Sequence, residues 1–280
     1  MLKMQQITEE IVRHVIQPRQ QESHKGTFGR VMTIGGNTHF GGAIIMSTSA
    51  AVYSGAGLVT CATAPQNFVS LHARLPEAMV VDYQDYAAVA ALMPQMDCIV
   101  IGPGLGTDAT ALAVLKFVFS RVQPQQNLII DGSAITLIAT HQLALPHAKL
   151  IFTPHQMEWQ RLSGIKLPQQ TPAQNQRVQQ QLGADVIVKA HRTEIYLANS
   201  STVWQNPVGS AAMATGGMGD CLTGILAGFL AQFTQNRGQS ILAAIYSHSK
   251  ISDNLAKQQY VTLPTQIITA LPHFMAQMAG

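Results

Sequence analysis

The sequence predicts an α/β protein with a mostly parallel central sheet and helices on both of its faces. Three observations predict it. Short apolar runs of strand length recur along the chain, several without alternation, as in Cys98-Ile99-Val100-Ile101 and Leu128-Ile129-Ile130-Asp131. Such runs mark strands buried on both faces. Stretches of helical length separate most of them, and strand alternating with helix implies parallel pairing through crossover helices. Glycines cluster around the expected strand ends and helix starts, at Gly35-Gly36, Gly41-Gly42, Gly102-Pro103-Gly104-Leu105-Gly106 and Gly216-Gly217.

Taken in order, residues 1–21 mix apolar and polar positions around Glu9 and Glu10 and lack the basic-then-apolar layout of a signal peptide. Strands are expected at Arg30–Ile34, Leu58–Thr63, Cys98–Ile101, 127–131, 149–153, 185–189 and 194–197. Helices are expected at 43–56, Ala109–Arg121 and Pro172–Leu182. The Gln-rich stretch 168–181 reads as a polar surface excursion. After Trp204 the chain turns helical, at 219–233, 239–257 and 265–278. In the first of these, Leu222, Ile225, Leu226, Phe229, Leu230 and Phe233 share one face, while Gly224, Ala227, Gly228 and Ala231 admit a close neighbour. That helix should be central. No repeat or linker divides the chain, so residues 1–280 are expected to form one domain.

Composition narrows the function. Of 280 residues, 47% are hydrophobic and 11% charged, and the net charge of +3 is not gathered into a Lys/Arg run. Nothing calls for nucleic acid or an anionic membrane. No apolar run reaches the roughly 20 residues needed to span a bilayer; the longest, 221–233, contains Gln232. Cys61, Cys98 and Cys221 are far apart and form no CxxC pair, which argues against a disulfide framework or zinc site and suits a reducing cytoplasm.

In open parallel sheets ligands bind beyond the carboxyl ends of the strands. Several glycine clusters at one such end suggest free backbone amides, and amides at a helix start form an anion site. Two familiar versions are excluded. The turn at 102–106 lacks GxGxxG spacing, and no GxxxxGK[ST] occurs anywhere.

Thr215-Gly216-Gly217-Met218-Gly219-Asp220 opens the central helix. An Asp in a first turn ordinarily compensates the helix dipole. A carboxylate placed where amides hold phosphate repels that anion unless it has a use. Accepting the proton of a hydroxyl as it attacks phosphorus is such a use, worth ~10²–10⁴-fold. Upstream, His155 and Glu158 are three residues apart at a strand end and share one side of a helical turn, where Glu158 suits a hydrated Mg²⁺. Lys189-Ala190-His191-Arg192-Thr193 joins two strands and forms a basic patch suited to a nucleotide. Asp131 is a weaker ligand candidate, and the histidines at 14, 72, 141, 147, 248 and 273 form no metal-ligand spacing.

Together with Lys25-Gly26-x-x-Gly29-Arg30-Val31, Ile34-Gly35-Gly36, Gly55-Ala56-Gly57-Leu58-Val59-Thr60 and Thr153-Pro154-His155-x-x-Glu158, these motifs occur in one order. The ordered set resembles the ADP-dependent NAD(P)H-hydrate dehydratase family, from about residue 20 to about 270. The resemblance implies a ribokinase-like fold and a repair reaction, in which hydrated NADH or NADPH loses water at the expense of ADP, with ATP as the alternative nucleotide, and with Mg²⁺. It implies that Asp220 is catalytic, that Ala43, Gly106, His155 and Asp220 contact the hydrated dinucleotide, and that Lys189, Ala190, His191, Arg192, Thr193, Gly217 and Gly219 contact ADP. It also implies a homotetramer, with a separate NAD(P)H-hydrate epimerase as functional partner. This chain departs from the family pattern at Gln156-Met157, Met218, Ser210-Ala211-Ala212 and Asp131-Gly132-Ser133-Ala134, where the family has Pro-Gly, Thr, Asn-Pro-Gly and Asp-Ala-Asp-Ala. Loss of the second carboxylate of that last motif is expected to weaken the loop's role. Two other readings share the glycine cradle: a ribokinase-like kinase of a vitamin-precursor alcohol, and a catalytically silent nucleotide-binding module.

Overall fold

Side chains along a strand point alternately to its two faces, so a strand that is apolar throughout needs cover on both. The computed structural model, which describes residues 3–280, supplies that cover. In chain order the elements are β1 (Lys3–Gln6), α1 (Glu9–Val15), β2 (Arg30–Ile34), α2 (Gly41–Tyr53), β3 (Leu58–Thr63), α3 (Phe68–Arg74), β4 (Met79–Asp82), α4 (Tyr86–Leu92) and β5 (Cys98–Ile101). Then come α5 (Ala109–Arg121), β6 (Asn127–Ile130), α6 (Gly132–His141), β7 (Lys149–Phe152), α7 (Gln156–Ser163), α8 (Pro172–Leu182), β8 (Asp185–Val188), β9 (Glu194–Tyr196) and β10 (Thr202–Gln205). Three helices close the chain, α9 (Met218–Gln232), α10 (Arg237–Ala256) and α11 (Pro264–Ala279).

The strands form one 10-stranded sheet in the order β1-β10-β9-β8-β7-β6-β5-β2-β3-β4. Pairing is parallel except at β9, which runs antiparallel to both β8 and β10. Period-two alternation sorts the apolar strands onto two cores. Val31, Val100, Ile129, Ile151, Ile187 and Ile195 face α1, α9, α10 and α11. Met32, Ile34, Ile99, Ile101, Leu128, Ile130 and Phe152 face the opposite side, with α5 and α6.

Three strands were not expected from sequence. β1, β4 and β10 are short and partly polar, and β1 pairs with β10 across almost the whole chain, Lys3 opposite Thr202. The helix expected at Pro172–Leu182 is present as α8, and most of the Gln-rich stretch lies at the surface, but its Asn175, Gln176 and Gln179 are buried. Asn175 Oδ1 accepts from Trp159 Nε1 at 2.7 Å, its Nδ2 donates to Tyr196 Oη at 3.2 Å, and Gln179 Nε2 donates to Ala184 O at 2.6 Å. Buried amides are tolerated when bonded in this way.

α9 is the central helix, buried continuously along residues 221–231. It lies against α2 so closely that a Cβ at Gly224 would stand 2.0 Å from the Ser47 carbonyl oxygen. At the same crossing Ser47 Oγ and Thr223 Oγ1 are 3.0 Å apart, a hydrogen bond between two buried hydroxyls. Gly224→Ala is therefore expected to destabilise the fold by about 1–3 kcal/mol through overpacking, read as a lower urea midpoint; an unchanged midpoint would show that the helices part without cost.

Candidate active site

Three loops meet beyond the carboxyl ends of the strands. Gly36 N–H donates to Pro103 O at 2.8 Å and Asn37 N–H to Gly104 O at 2.7 Å, lacing the turn after β2 to the turn after β5. Gly106 N–H donates to Ser133 Oγ at 3.2 Å, tying that second turn to the start of α6. Ala43, in the first turn of α2, comes up against Gly104, where a Cβ would meet its own at 3.1 Å. The glycine clusters suggested free amides, but several are committed: Gly35 and Gly102 donate to Ala62 O of β3 and Ile34 O of β2, and Gly36 and Gly106 donate to neighbouring loops.

The amino end of α9 differs. Its cap, Gly217, has φ of 91° and no side chain to answer the first amides. Any other residue there would be strained and would meet Met46 Sδ at 2.6 Å. The first backbone bond runs from Cys221 N–H to Gly217 O at 2.9 Å. The amides of Met218, Gly219 and Asp220 precede it and have no intrahelical acceptor. These amides are the candidate anion cradle.

A chain of polar contacts borders it. Asp131, buried at the N-cap position of α6, makes no cap bond. Its Oδ1 instead accepts from Thr153 Oγ1 at 2.6 Å and from Lys189 Nζ at 2.7 Å. The loop at 131–134 is tied in place without a second carboxylate: Asp131 holds Lys189, and Ser133 holds Gly106. Neither the Asp131–Thr153 contact nor the Ser133–Gly106 contact was signalled in the sequence beyond a polar residue at a strand end.

His155 caps α7, its Nδ1 accepting from the Met157 and Glu158 amides at 3.2 and 3.3 Å. Glu158 returns the bond, its Oε2 accepting from His155 N–H at 2.8 Å, so the two residues form a reciprocal capping box. With Nδ1 accepting, a neutral ring carries its proton on Nε2, which lies 3.5 Å from Glu158 Oε1. His155 is exposed and Glu158 buried.

Of the residues 189–193, the structure brings Lys189 into this cluster. Ala190, His191 and Arg192 stand exposed at the tip of the β8–β9 hairpin. The Arg192 guanidinium donates to Pro207 O, and Thr193 Oγ1 donates to Ala190 O at 3.2 Å within the turn. The basic patch is therefore divided, one cation inward and the others at the rim.

Burial pushes the Asp220 carboxyl up to about 6; Asp131 adds to the push, Lys189 opposes it and Glu158 adds again. Burial works to lower Lys189, but Asp131, Glu158 and Asp220 outweigh it and the ammonium is held above its ordinary value. Nearby on α10, burial pushes His248 down to about 4, with Lys189 contributing, so its ring is neutral. The donors here are carboxylate oxygens, and among the described residues no three His, Cys, Asp or Glu side chains close on one point. That set fits a Mg²⁺ held by one carboxylate through water and by phosphate oxygens, not an all-protein cage. A cavity of about 1240 Å³ opens at the other end of α9, beside Arg19, Phe28 and Gln232, and contains none of these residues.

The sequence model of a family described as NAD(P)H-hydrate dehydratase matches residues 31–273. An ADP-dependent (S)-NAD(P)H-hydrate dehydratase from Lactiplantibacillus plantarum is 55% identical over 272 residues, 97% of each chain. A ribokinase-like superfamily protein from Enterococcus faecalis superposes with a TM-score of 0.95 at 51% identity, covering 99% of this chain and 96% of that one. The ADP/ATP-dependent NAD(P)H-hydrate dehydratase of Bacillus subtilis, co-crystallised with ATP and Mg²⁺, superposes at 0.86 with 26% identity over 97% of both chains.

The raised carboxyl has a consequence for stability. A carboxyl lifted from 3.8 to about 6 contributes stability below 3.8 that is lost as pH rises through 6. Asp220→Asn removes that cost, so the variant should be more stable than the parent by up to about 3 kcal/mol at pH 8 and by almost nothing at pH 4. Chemical denaturation at the two pH values checks it; equal midpoints at pH 8 would show that Asp220 ionises freely.

Proposed function

The chain belongs to the NAD(P)H-hydrate dehydratase family, and on that premise we propose that it dehydrates (6S)-NAD(P)H hydrate to NAD(P)H, coupled to conversion of ADP to AMP and phosphate. The observation that carries the reading is the placement of one half-buried carboxylate, Asp220, among the three free amides that open α9. Asp220 takes the proton of the C6 hydroxyl as that oxygen attacks the β-phosphorus, and the bond from β-phosphorus to the bridging oxygen breaks, releasing AMP. The amides of residues 218–220 and the Lys189 ammonium face the charge that develops on the transferred group. The C6–O bond then breaks with phosphate as leaving group, expelled by the ring-nitrogen lone pair, and loss of a C5 proton restores the reduced nicotinamide. Phosphate leaves far more readily than hydroxide, which is why a nucleotide is consumed.

In this reading Ala43, Gly106 and His155 line the hydrated dinucleotide, His155 offering its Nε2 proton as a donor. Lys189, Ala190, His191, Arg192 and Thr193, with Gly217 and Gly219, take ADP, or ATP in its place. Mg²⁺ bound to the nucleotide supplies charge neutralisation, with Glu158 ordering one of its waters. Because the relative's name specifies the S epimer, the R epimer needs an NAD(P)H-hydrate epimerase, which we place in a separate protein. We also propose a homotetramer, for which exposed Tyr260, Val261 and Leu263 offer apolar surface, and a cytoplasmic setting, where the reduced dinucleotides and ADP are found.

The experiment is direct. Incubation with hydrated NADH, ADP and Mg²⁺ should restore the reduced-nicotinamide absorbance with one AMP formed per NADH; no recovery with either ADP or ATP rejects the reading, and a stable phosphorylated product would mark a kinase instead. Asp220→Asn should lower kcat by ~10²-fold or more with nucleotide binding retained. In the parent, kcat/KM should fall on the acid side with an apparent pKa near 6, as Asp220 is protonated; a flat profile between pH 5 and 8 would remove Asp220 from the role of base.

A further inference from the structure

Lys189 stands among acids from three helices. Asp131, at the start of α6, holds its Nζ at 2.7 Å, and Glu158 of α7 and Asp220 of α9 act on it as well. The fourth titratable neighbour, His248 of α10, is buried and neutral and adds no charge. One ammonium among three carboxylates has three possible partners. The structure gives it to Asp131, and several contacts enforce that choice. Thr153 Oγ1 donates to the same Asp131 oxygen at 2.6 Å and so orients the carboxylate. Asp131 forgoes the amides of its own helix, although it occupies the N-cap position where an Asp ordinarily bonds them. The Lys189 backbone N–H donates to Pro154 O at 2.8 Å, which fixes the root of the side chain.

The outcome is a position. Lys189 Nζ lies 3.1 Å from the point where a Cβ of Gly219 would stand, and Asp131 Oδ2 lies 3.8 Å from the same point. The ammonium therefore sits over the first turn of α9, beside the free amides, with a fixed carboxylate behind it.

We infer that Asp131 is a positioning residue, which holds the Lys189 ammonium against the amino end of α9 for a nucleotide phosphate and keeps it from pairing with Asp220. The inference rests on the reading of Asp220 as the base. An ammonium free to swing would meet the ionised Asp220, and a base locked in an ion pair is a weaker base. Anchoring Lys189 on Asp131 separates the two tasks, one cation for phosphate and one carboxylate for the proton.

The test uses three variants of the full chain. Asp131→Asn keeps the shape of the side chain and removes its charge, which frees Lys189 to pair with Asp220. The acid limb of kcat/KM should then move down by about one pH unit or more, with kcat lowered about tenfold or more and KM for ADP raised. Lys189→Gln should move the same limb up and also raise KM for ADP. The double variant removes both members of the Asp131–Lys189 pair, so neither is left buried without the other; it should keep a limb near that of the parent while retaining the raised KM. Asp131 also raises the Asp220 carboxyl directly, so re-pairing of Lys189 requires that Asp131→Asn lower the limb further when Lys189 is present than when Gln replaces it; an unmoved limb, an equal shift in both backgrounds or an unaltered KM in the double variant overturns the inference. If the parent itself lacks dehydratase activity, the proposed function fails first, and ¹³C NMR titration of the Asp220 carboxyl in the parent and the three variants still decides the inference. A downward shift on Asp131→Asn that is larger with Lys189 than with Gln at that position supports it, and equal shifts refute it.

Discussion

The burial of α9 is the constraint on which the rest of the structure depends. A helix enclosed along residues 221–231 must still end somewhere, and its first amides have no partner within it. Gly217, in a left-handed turn, leaves that end open at the mouth of the sheet without a side-chain cap. An uncapped helix start costs stability wherever nothing accepts its N–H groups. On the proposed function a nucleotide phosphate would supply the acceptor, so the element that organises the core would also create the anion site. The close crossing of α9 over α2 fixes that end in space, because the small residues at the crossing leave no freedom to slide.

Charge sets the second condition. Asp131, Glu158 and Asp220 surround one ammonium, and the nucleotide diphosphate of the proposed reaction would bring more negative charge to the same place. Lys189 and the amides of α9 offset part of this excess, and a Mg²⁺ arriving with the nucleotide would offset the remainder. The same crowding suits the chemistry. A carboxyl that ionises near 6 is a stronger base than an ordinary aspartate and is still ionised at neutral pH. The fold accepts a loss of stability at this point in return, as active sites commonly do.

The strands that were expected one residue too long are instructive. The runs 127–131, 149–153 and 185–189 end in the sheet at Ile130, Phe152 and Val188. The residues left over are Asp131, Thr153 and Lys189, the three joined by hydrogen bonds at the site. Apolar periodicity identifies the strands well, and it stops being informative where backbone pairing gives way to side-chain contact. The strands β1, β4 and β10 escaped notice because short, partly polar edge strands carry little of that pattern. The inward face of α8 was not legible because an asparagine such as Asn175 reads as polar until its partners, Trp159 and Tyr196, are brought beside it.

What the sequence determined by itself was the class of the fold, the central helix and the string of glycines and acids around Asp220, since these follow from local periodicity and from residue types with few other uses. Only the tertiary structure decided which glycine amides are free, which carboxylate holds Lys189 and which carboxyl is forced to ionise late. Each of those depends on distances between residues far apart in the chain, Asp131 and Lys189 or Gly106 and Ser133. Hydrogen bonding and burial act through space, and local pattern carries no record of them.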